Sequence, residues 1–338
     1  MPDQTQNDGT VVDFSTKRKL KGASGGNAAF YQKRRSCCKL DAYLSIYIAF
    51  SRGGVEIPGV WTLRKMIAAV RRKLFSTSPE KKVLLINHHK VGSALIWKIF
   101  EPMCLRNGWT IENIHGIAEY APAKVDVVQL MHGIVGQDFP TEEFRRVRFV
   151  RDPRDVIVSG FLYHQRCSEE WCTNVPSGYS TLEYPHVPWP IQHLGEPEKR
   201  EWVDLLDGSS YKQNLLGMSQ NEGLKFEMEG YAKITIGAMC SWEDGKDSLI
   251  VRIEDLATDF EKTVGEILRW VGLDELNVEK ELDYARKHDI SRMTKEEIRS
   301  DSHISSPDIT KWRRYFDDEV LQNYNNLFGE AHTTLGYE

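Results

Sequence analysis

The feature that most restricts how this chain folds is a repeated pattern, in which a short apolar run ends in a polar turn and a helical pattern follows. The clearest case is KKVLLIN at 81–87, which precedes a helix predicted from about Ser93 to Asn107. Short apolar runs of this kind are typical of parallel strands that are buried on both faces. Strands that alternate with helices predict an α/β fold with a central parallel sheet flanked by helices.

The same pattern continues along the chain. Further strands are predicted at 125–131, 146–151 and 248–253, and helices near 153–165, 197–218, 226–242 and 259–271. Residues 1–40 are rich in Gly, Ser, Lys, Asn and Gln without a hydrophobic period, which predicts a flexible arm. Residues 41–80 are predicted to form a helical extension, because the apolar residues between Pro58 and Phe75 follow helical spacing. The main domain is expected at 81–338.

Charge and composition exclude few classes of protein, but they narrow the choice of partners. A chain of 338 residues with 41% hydrophobic content can bury a large core. Its 44 basic and 49 acidic residues give a net charge of −5, so no overall basic field favours nucleic acid. The apolar run at 42–50 is about half the length that a membrane span needs. The N-terminus has no apolar stretch typical of a secretory signal, which favours a cytoplasmic location.

The six cysteines lie at 37, 38, 104, 167, 172 and 240, and no pair has the Cys-x-x-Cys spacing of a zinc or redox site. We therefore expect most of them to be reduced and buried. No cluster of carboxylates accompanies the polar turns, so no metal is expected.

The turn HHKVGSA at 88–94 has the composition of an anion site. In a parallel sheet, ligands collect at the carboxyl ends of strands, where helix N-termini offer unpaired N–H groups. Lys90 adds a positive charge, Gly92 lets the backbone approach the anion, and Ser93 adds a hydroxyl. The alternative is an ordinary turn with a surface lysine. A Walker A loop is excluded, since the lysine precedes the glycine and Gly-x-x-x-x-Gly-Lys-Ser/Thr is absent.

A second stretch, VRFVRDPRDVIVSGFLYH at 147–164, has the same layout. A strand ends at Arg151, Pro153 opens a helix, and Ser159 lies two turns inside it. Arg151 and Ser159 are candidates to bind a second anionic group with a guanidinium and a hydroxyl. Alternatively, Arg151 pairs with its neighbours at the strand end. Two such strand ends in one chain favour the anion site.

These two stretches together resemble the cofactor motifs of the sulfotransferases that use 3′-phosphoadenosine 5′-phosphosulfate (PAPS). The segment IVRIEDLATDFEKTVGEILRWVGL at 250–273 is similar to the strand, turn and helix that follow in that family, and the likeness extends through WRRYF to the end of the chain. It covers roughly residues 80–338. The resemblance implies a three-layer sandwich like that of P-loop NTPases, and a reaction that leaves adenosine 3′,5′-bisphosphate (PAP).

The resemblance assigns roles to particular residues. Lys90 matches the lysine at the bridging oxygen and the transferred sulfuryl group, and Arg151 and Ser159 match the ligands of the 3′-phosphate. The loop that wraps the 5′ end is matched by Gly92, Ser93, Ala94 and Leu95. Two departures occur: Ala94 replaces a usual threonine, and Ser305 and Ser306 lie where many relatives carry an Arg-Lys-Gly clamp. Ser306 is kept as a candidate, and the clamp is weaker or supplied from elsewhere.

Sulfuryl transfer also needs a base for the acceptor and a cation at the leaving oxygen. Lys90 fits the second role, and His132, which follows the strand 125–131, is placed like the catalytic histidine of the family. The alternative for His132 is a structural histidine at a strand end. His164 and His303 are competitors for the role of base, while His88 and His89 flank the loop and are expected only to shape the pocket.

The sequence thus predicts a PAPS-dependent sulfotransferase that acts on a hydroxyl or amine of a small, specialised-metabolite-like acceptor. A carbohydrate sulfotransferase is the first alternative, and a nucleotide kinase or a noncatalytic nucleotide-binding module is a remote one. The sequence predicts neither the oligomeric state nor the adenine contacts.

Overall fold

The structure is a computed structural model that describes residues 78–300 and 308–338. The predicted arm at 1–40 and almost all of the predicted extension at 41–80 lie outside the described residues. The same is true of His303, Ser305 and Ser306. Predictions about these residues stay predictions.

A central sheet organises the described part of the chain. Its strands are β1 (Lys82–Ile86), β2 (Ile111–Ile114), β4 (Val127–Leu130), β6 (Phe144–Val150) and β7 (Ser248–Arg252), while β3 (Ile117–Ala118) and β5 (Ile134–Val135) form a separate parallel pair. The order is β2-β4-β1-β6-β7, and every neighbouring pair is parallel. The predicted α/β fold with a central parallel sheet flanked by helices is confirmed.

Alternation along β1 explains why its sequence is apolar throughout. Val83 and Leu85 lie in the larger hydrophobic core cluster, whereas Leu84 and Ile86 lie in a second cluster. Successive side chains of a strand point to opposite faces, so each face of β1 is covered. All four side chains are fully buried. A strand with this pattern belongs at the centre of a sheet, which is where β1 lies.

Most of the helices between and after the strands contribute side chains to the larger core cluster. In chain order they are α1 (Ser93–Asn107), α2 (Pro153–His164), α3 (Glu170–Thr173), α4 (Glu196–Leu206), α5 (Tyr211–Gly217), α6 (Gln220–Glu229), α7 (Tyr231–Cys240), α8 (Ile253–Thr258), α9 (Phe260–Trp270), α10 (Glu275–Ala285), α11 (Lys295–Ser300), α12 (Trp312–Tyr315), α13 (Asp318–Phe328) and α14 (Ala331–Thr334). No helix in the described ranges is long and apolar enough to cross a membrane.

Two predicted helices are each divided in two, and several elements were not predicted, among them three short strands. The helix predicted at 197–218 ends at Leu206, and Ser210 begins α5 with a capping box. The helix predicted at 226–242 is α6 followed by α7, with the break at Gly230. The strand β2 has four residues, and β3 and β5 have two each. Segments this short show no recognisable hydrophobic pattern, so the sequence did not predict them.

The strand order brings three polar strand ends together. Ile86 is paired with Leu130 of β4 on one side and with Arg148 of β6 on the other. Parallel strands in register end at the same edge of the sheet, so the turns that follow β1, β4 and β6 are neighbours. The edge therefore carries Lys90, His132 and Arg151 side by side.

Gly133 fixes the turn that follows β4. Its φ of +63° is in the left-handed region, and a Cβ there would lie 2.1 Å from Cε1 of His88. The Nδ1–H of His88 donates to the carbonyl oxygen of His132 at 3.2 Å, since a carbonyl only accepts. Only glycine fits above the His88 ring with this backbone conformation.

We expect Gly133→Ala to lower the free energy of unfolding by about 3 kcal/mol, because it adds left-handed strain to a steric clash. Gly208→Ala is a matched control: its φ is +71°, but no atom lies within 4 Å of the added Cβ. The control should lose only about 1 kcal/mol. Urea unfolding measures both, and equal losses would contradict the close packing at Gly133.

Candidate functional site

The residues proposed from the sequence line one cavity at the carboxyl edge of the sheet. The cavity has a volume of about 390 Å³ and its walls include Lys90, Gly92, Ser93, Ala94, Leu95, His132, Arg151 and Ser159. A second cavity, of about 700 Å³ and lined by parts of α4 and α7, contains none of them. The described part of the chain thus brings every candidate together except Ser306, which lies outside it.

The backbone at Lys90 is held in an unusual conformation. Its φ of 60° lies in the left-handed region, where a residue with a side chain is strained by about 1–2 kcal/mol. The guanidinium of Arg151 donates from Nη1 to the carbonyl oxygen of Lys90 at 2.9 Å. The Nζ of Lys90 lies 3.7 Å from the centre of the Tyr163 ring, a cation–π contact. The turn at Lys90 is thus held by Arg151, which follows β6, and by Tyr163 of α2.

The first turn of α1 offers backbone donors to the cavity. Gly92 is the N-cap, with φ 74° and no side-chain cap among the described residues. A Cβ on Gly92 would lie 2.9 Å from Cδ1 of Ile253. The first N–H groups of a helix have no partner within the helix, and the helix dipole makes this end positive. Ser93, Ala94 and Leu95 supply these N–H groups, so the alanine at 94 removes one hydroxyl and no backbone donor.

The strand β6 is followed by α2, and nearby side chains stabilise the first turn of this helix. Asp152 caps the helix by accepting from the N–H of Arg154. Asp155 is fully buried, and its Oδ1 accepts from the N–H of Trp312 at 3.1 Å. This bond anchors the C-terminal segment and brings Lys311 to the cavity wall beside Ser159.

Cations crowd the cavity, and the pKa values of its two lysines Lys90 and Lys311 are lowered. Burial, followed by the charges of Arg151 and Arg166, lowers the pKa of Lys90 to about 7. Burial, followed by the charge of Arg151, lowers the pKa of Lys311 to about 8. Buried like charges near each other are costly unless an anion joins them. The site is therefore suited to a ligand that carries more than one negative charge.

His132 lies in the cavity with its tautomer fixed by the backbone. Its Nδ1 accepts from the N–H of Gly116 at 2.9 Å. A neutral imidazole that accepts at Nδ1 carries its hydrogen at Nε2. Burial, with a smaller contribution from His115, lowers the pKa of His132 to about 3. In this arrangement the Nε2 of His132 is a hydrogen-bond donor.

The other histidines differ in their access to the cavity. His88 is buried below the cavity, and burial lowers its pKa to about 3. His89 and His115 line the cavity wall. His164 is fully buried and is joined to the wall through His89, with 3.0 Å between the two Nε2 atoms.

Comparison with known proteins gives a family. The family model of the sulfotransferase domain matches residues 127–336, which is more than half of the chain. The chain belongs to the sulfotransferase domain family. A solved structure of a mouse sulfotransferase, SULT7A1 complexed with PAP, is 15% identical over 78% of this chain and 88% of its own, with a TM-score of 0.40. A search of curated proteins found no match.

Membership makes the chain an enzyme of the sulfotransferase class. The matched range contains His132, Arg151, Ser159 and Lys311. Lys90 lies before that range, and it joins the same cavity through β1 and through its hydrogen bond with Arg151. In the described residues no group of three or more His, Cys, Asp or Glu side chains is placed to hold a metal ion. Of the six cysteines, those described are Cys104, Cys167, Cys172 and Cys240, and all four are free thiols.

Several wall residues of this sulfotransferase site were missed from the sequence. Lys311 directly precedes Trp312. The family resemblance instead pointed to Ser305 and Ser306, where many relatives carry an Arg-Lys-Gly clamp. Glu169 accepts from the hydroxyl of Tyr163 and from the indole of Trp171, which holds its carboxylate at the cavity wall. His115 follows the unpredicted strand β2. The basic residue Lys311 directly before Trp312 was the one signal that the sequence offered.

We expect Lys90 to titrate near pH 7 and Lys311 near pH 8 in the unliganded sulfotransferase. Both titrations are measurable by NMR of ¹³C-dimethylated lysines, assigned with Lys90→Gln and Lys311→Gln. Because Lys311 lowers the pKa of Lys90, Lys311→Gln should raise it. Inorganic sulfate should raise both pKa values, since an anion stabilises the ammonium forms. A Lys90 signal that titrates with the exposed lysines would contradict the burial.

Proposed function

We propose that the enzyme transfers the sulfuryl group of PAPS to a hydroxyl or amine of a small-molecule acceptor. The observation that carries this proposal is one cavity whose wall brings two groups of anion-binding residues together. One group is Lys90 with the first turn of α1, and the other is Arg151, Ser159 and Lys311. PAPS has two anionic groups at separate positions of one nucleotide, which fits this distribution of charge.

The residues present fit the donor in three ways. The N–H groups of Ser93, Ala94 and Leu95 suit the 5′-phosphosulfate, as helix N-termini suit phosphates. Arg151 and Ser159 would hold the 3′-phosphate. Lys311 would add a positive charge there, in place of the Arg-Lys-Gly clamp that this chain lacks. Ser306 remains a candidate ligand. Leu256 and Phe260 are buried apolar side chains of the same wall, against which an adenine ring could rest.

Bound PAPS supplies a sulfuryl group with a good leaving oxygen. Lys90 would stabilise the negative charge that grows on that oxygen, as a preorganised cation in a site with little water. An anion at this position raises the pKa of Lys90 above 7, so the lysine is charged when it is needed. The assignment of the base to His132 stays a prediction, and its Nε2–H is oriented for donation to an oxygen.

We assign the acceptor to the part of the cavity wall that includes His115, Met131 and Glu169. Its mixture of apolar and polar groups favours a small hydroxylated or aminated compound. A carbohydrate acceptor remains the alternative within the same chemistry. A nucleotide kinase is disfavoured, because the Lys90 loop lacks the Walker A glycines and the described residues lack a metal-binding cluster. A cytoplasmic location stays a prediction of the sequence.

We expect PAP to raise the melting temperature by about 5–10 °C at concentrations near 100 Kd, and ATP with Mg²⁺ to raise it far less. The reason is that Arg151, Ser159 and Lys311 would bind the 3′-phosphate, which ATP lacks. Differential scanning fluorimetry measures both shifts, with AMP as the control that lacks only the 3′-phosphate of PAP. Stabilisation by ATP with Mg²⁺ and none by PAP would overturn the proposed function.

Lys90→Ala should lower turnover by about 10²–10³-fold, the size expected when a donor to the developing charge is lost. Turnover is followed with radiolabelled PAPS against a panel of phenols, hydroxysteroids, amines and oligosaccharides, which also identifies the acceptor class. The exposed Lys124 lies outside the cavity, so Lys124→Ala is the matched control. Equal turnover of the two variants would remove Lys90 from the chemistry.

A further inference from the structure

The first turn of α2 holds the C-terminal segment by both the backbone and the side chain of Trp312. The Oδ1 of Asp155 accepts from the N–H of Trp312 at 3.1 Å. The guanidinium carbon of Arg154 lies 4.0 Å from the centre of the Trp312 ring, a cation–π contact. Arg154 is itself fixed, because its Nε and Nη2 donate to the two carboxylate oxygens of Asp152 at 2.9 and 2.7 Å. Two consecutive residues of α2 therefore hold one residue of the C-terminal segment.

The carboxylate of Asp155 occupies a costly position. Its side chain is fully buried, and its Oδ2 has no hydrogen-bond partner among the described residues. Burial raises the pKa of Asp155 to about 6, although the charge of Arg151 and the N–H of Trp312 act against that rise. A buried carboxylate with so few hydrogen bonds lowers stability unless nearby positive charges compensate. Asp155 therefore needs an explanation beyond the capping of its own helix.

The explanation lies with Lys311, which directly precedes Trp312. Lys311 is 3% exposed, and it forms part of the cavity wall together with Arg151. Burial lowers the pKa of Lys311 and the charge of Arg151 lowers it further, whereas the charge of Asp155 raises it. Such effects between charges weaken with distance, so the three groups are neighbours. Asp155 is absent from the cavity wall and can affect a ligand there only through its neighbours.

The local backbone explains why the hydrogen bond to Trp312 matters. Lys311 is the N-cap of α12, which has only four residues. The first N–H groups of a helix have no partner within it, and so short a helix has little stability of its own. Asp155 accepts the first of these N–H groups from an element 157 residues away. Because a lysine side chain is long and flexible, fixing its backbone limits where its ammonium group can go.

We propose that Asp155 is a positioning residue that holds Lys311 in the part of the cavity where the 3′-phosphate of the donor binds. The inference rests on the proposed function and adds how the C-terminal segment becomes part of the donor site. The helix α2 would then serve the 3′-phosphate twice. Arg151 and Ser159, before and within α2, would contact it directly, and Asp155 would act on it through Lys311.

Other contacts keep the C-terminal segment attached if Asp155 is replaced. The Nε2 of Gln220 donates to the carbonyl oxygen of Tyr315 at 3.3 Å, and the Nδ2 of Asn221 donates to Oδ2 of Asp317 at 2.6 Å. Both bonds join α6 to residues that follow the first turn of α12. A variant at Asp155 is therefore expected to loosen the turn that carries the lysine without releasing the whole segment.

The first experiment compares the affinities of PAP and AMP by isothermal titration calorimetry. The ratio Kd(AMP)/Kd(PAP) isolates the contribution of the 3′-phosphate, which AMP lacks. Asp155→Ala removes the acceptor of the Trp312 N–H and should lower this ratio by about 10–100-fold, as expected for loss of a charge-assisted contact. Asp155→Asn keeps an oxygen acceptor and should keep the ratio within about threefold of wild type. A wild-type ratio in Asp155→Ala, or an equal fall in both variants, overturns the proposal.

A double-mutant cycle tests whether Asp155 acts through Lys311. Lys311→Gln alone should lower the ratio Kd(AMP)/Kd(PAP) by about as much as Asp155→Ala does. Adding Asp155→Ala to Lys311→Gln should then lower the ratio by less than about twofold more. Additive losses overturn the proposal, because they would show that Asp155 affects the 3′-phosphate independently of Lys311.

Asp126→Ala is the matched control for loss of a buried carboxylate. Asp126 is 6% exposed, accepts the backbone N–H of Thr110 at 2.8 Å and is absent from the cavity wall. Its replacement should lower the stability of the fold and leave the ratio Kd(AMP)/Kd(PAP) unchanged. A fall as large as that in Asp155→Ala would mean that the ratio only reports stability, and it overturns the proposal.

A further measurement decides the matter even if Asp155→Ala does not fold. NMR of ¹³C-dimethylated lysines should show a lower pKa for Lys311 in Asp155→Asn than in wild type, because the charge that raises it is lost. An unchanged pKa overturns the proposal. A wild-type enzyme that does not prefer PAP to AMP overturns the proposed function itself. A wild-type enzyme that prefers PAP, with the same preference in Asp155→Ala, overturns only the role of Asp155.

Discussion

The site depends on the parallel pairing of β1 between β4 and β6. Because the three strands are in register and run in one direction, their carboxyl ends meet, and the turn after each strand contributes to the cavity. A shift of one residue would send the apolar side chains of β1 to the opposite faces. The buried alternation of Val83, Leu84, Leu85 and Ile86 prevents such a shift. The core therefore determines the positions of Lys90, His132 and Arg151.

The positive charges at the carboxyl edge of the sheet determine which ligands can bind there. Lys90, Arg151 and Lys311 are close enough to lower the pKa values of both lysines, and Arg151 also holds the carbonyl of Lys90. A single guanidinium thus connects the turn after β1 to the cationic end formed by α2 and the C-terminal segment. Arginine suits this position because the guanidinium has several donors, so one can bond the carbonyl of Lys90 while the others stay directed elsewhere.

Sequence reasoning located the strand ends well, since buried runs followed by Gly92, Ser93 and Pro153 are local signals. It placed the first helix at the bounds that the structure has. It could not find partners that join distant parts of the chain. Glu227 is 63 residues from His164, on a helix whose break at Gly230 was not predicted. No local pattern marks such a pair, and the tautomer of His132 follows only from a three-dimensional contact. Lys311 was missed for a different reason, because an expected motif directed attention to the residues before it.

The close fit of Gly133 over His88 has a consequence for how this sequence can vary. The ring of His88 occupies the space that a Cβ at position 133 would need, and it bonds the carbonyl oxygen of His132. Neither position can change alone without moving the turn that carries His132. Among relatives of this chain, positions 88 and 133 should therefore substitute together or stay fixed, and a larger residue at 133 should appear only where a smaller one has replaced the histidine.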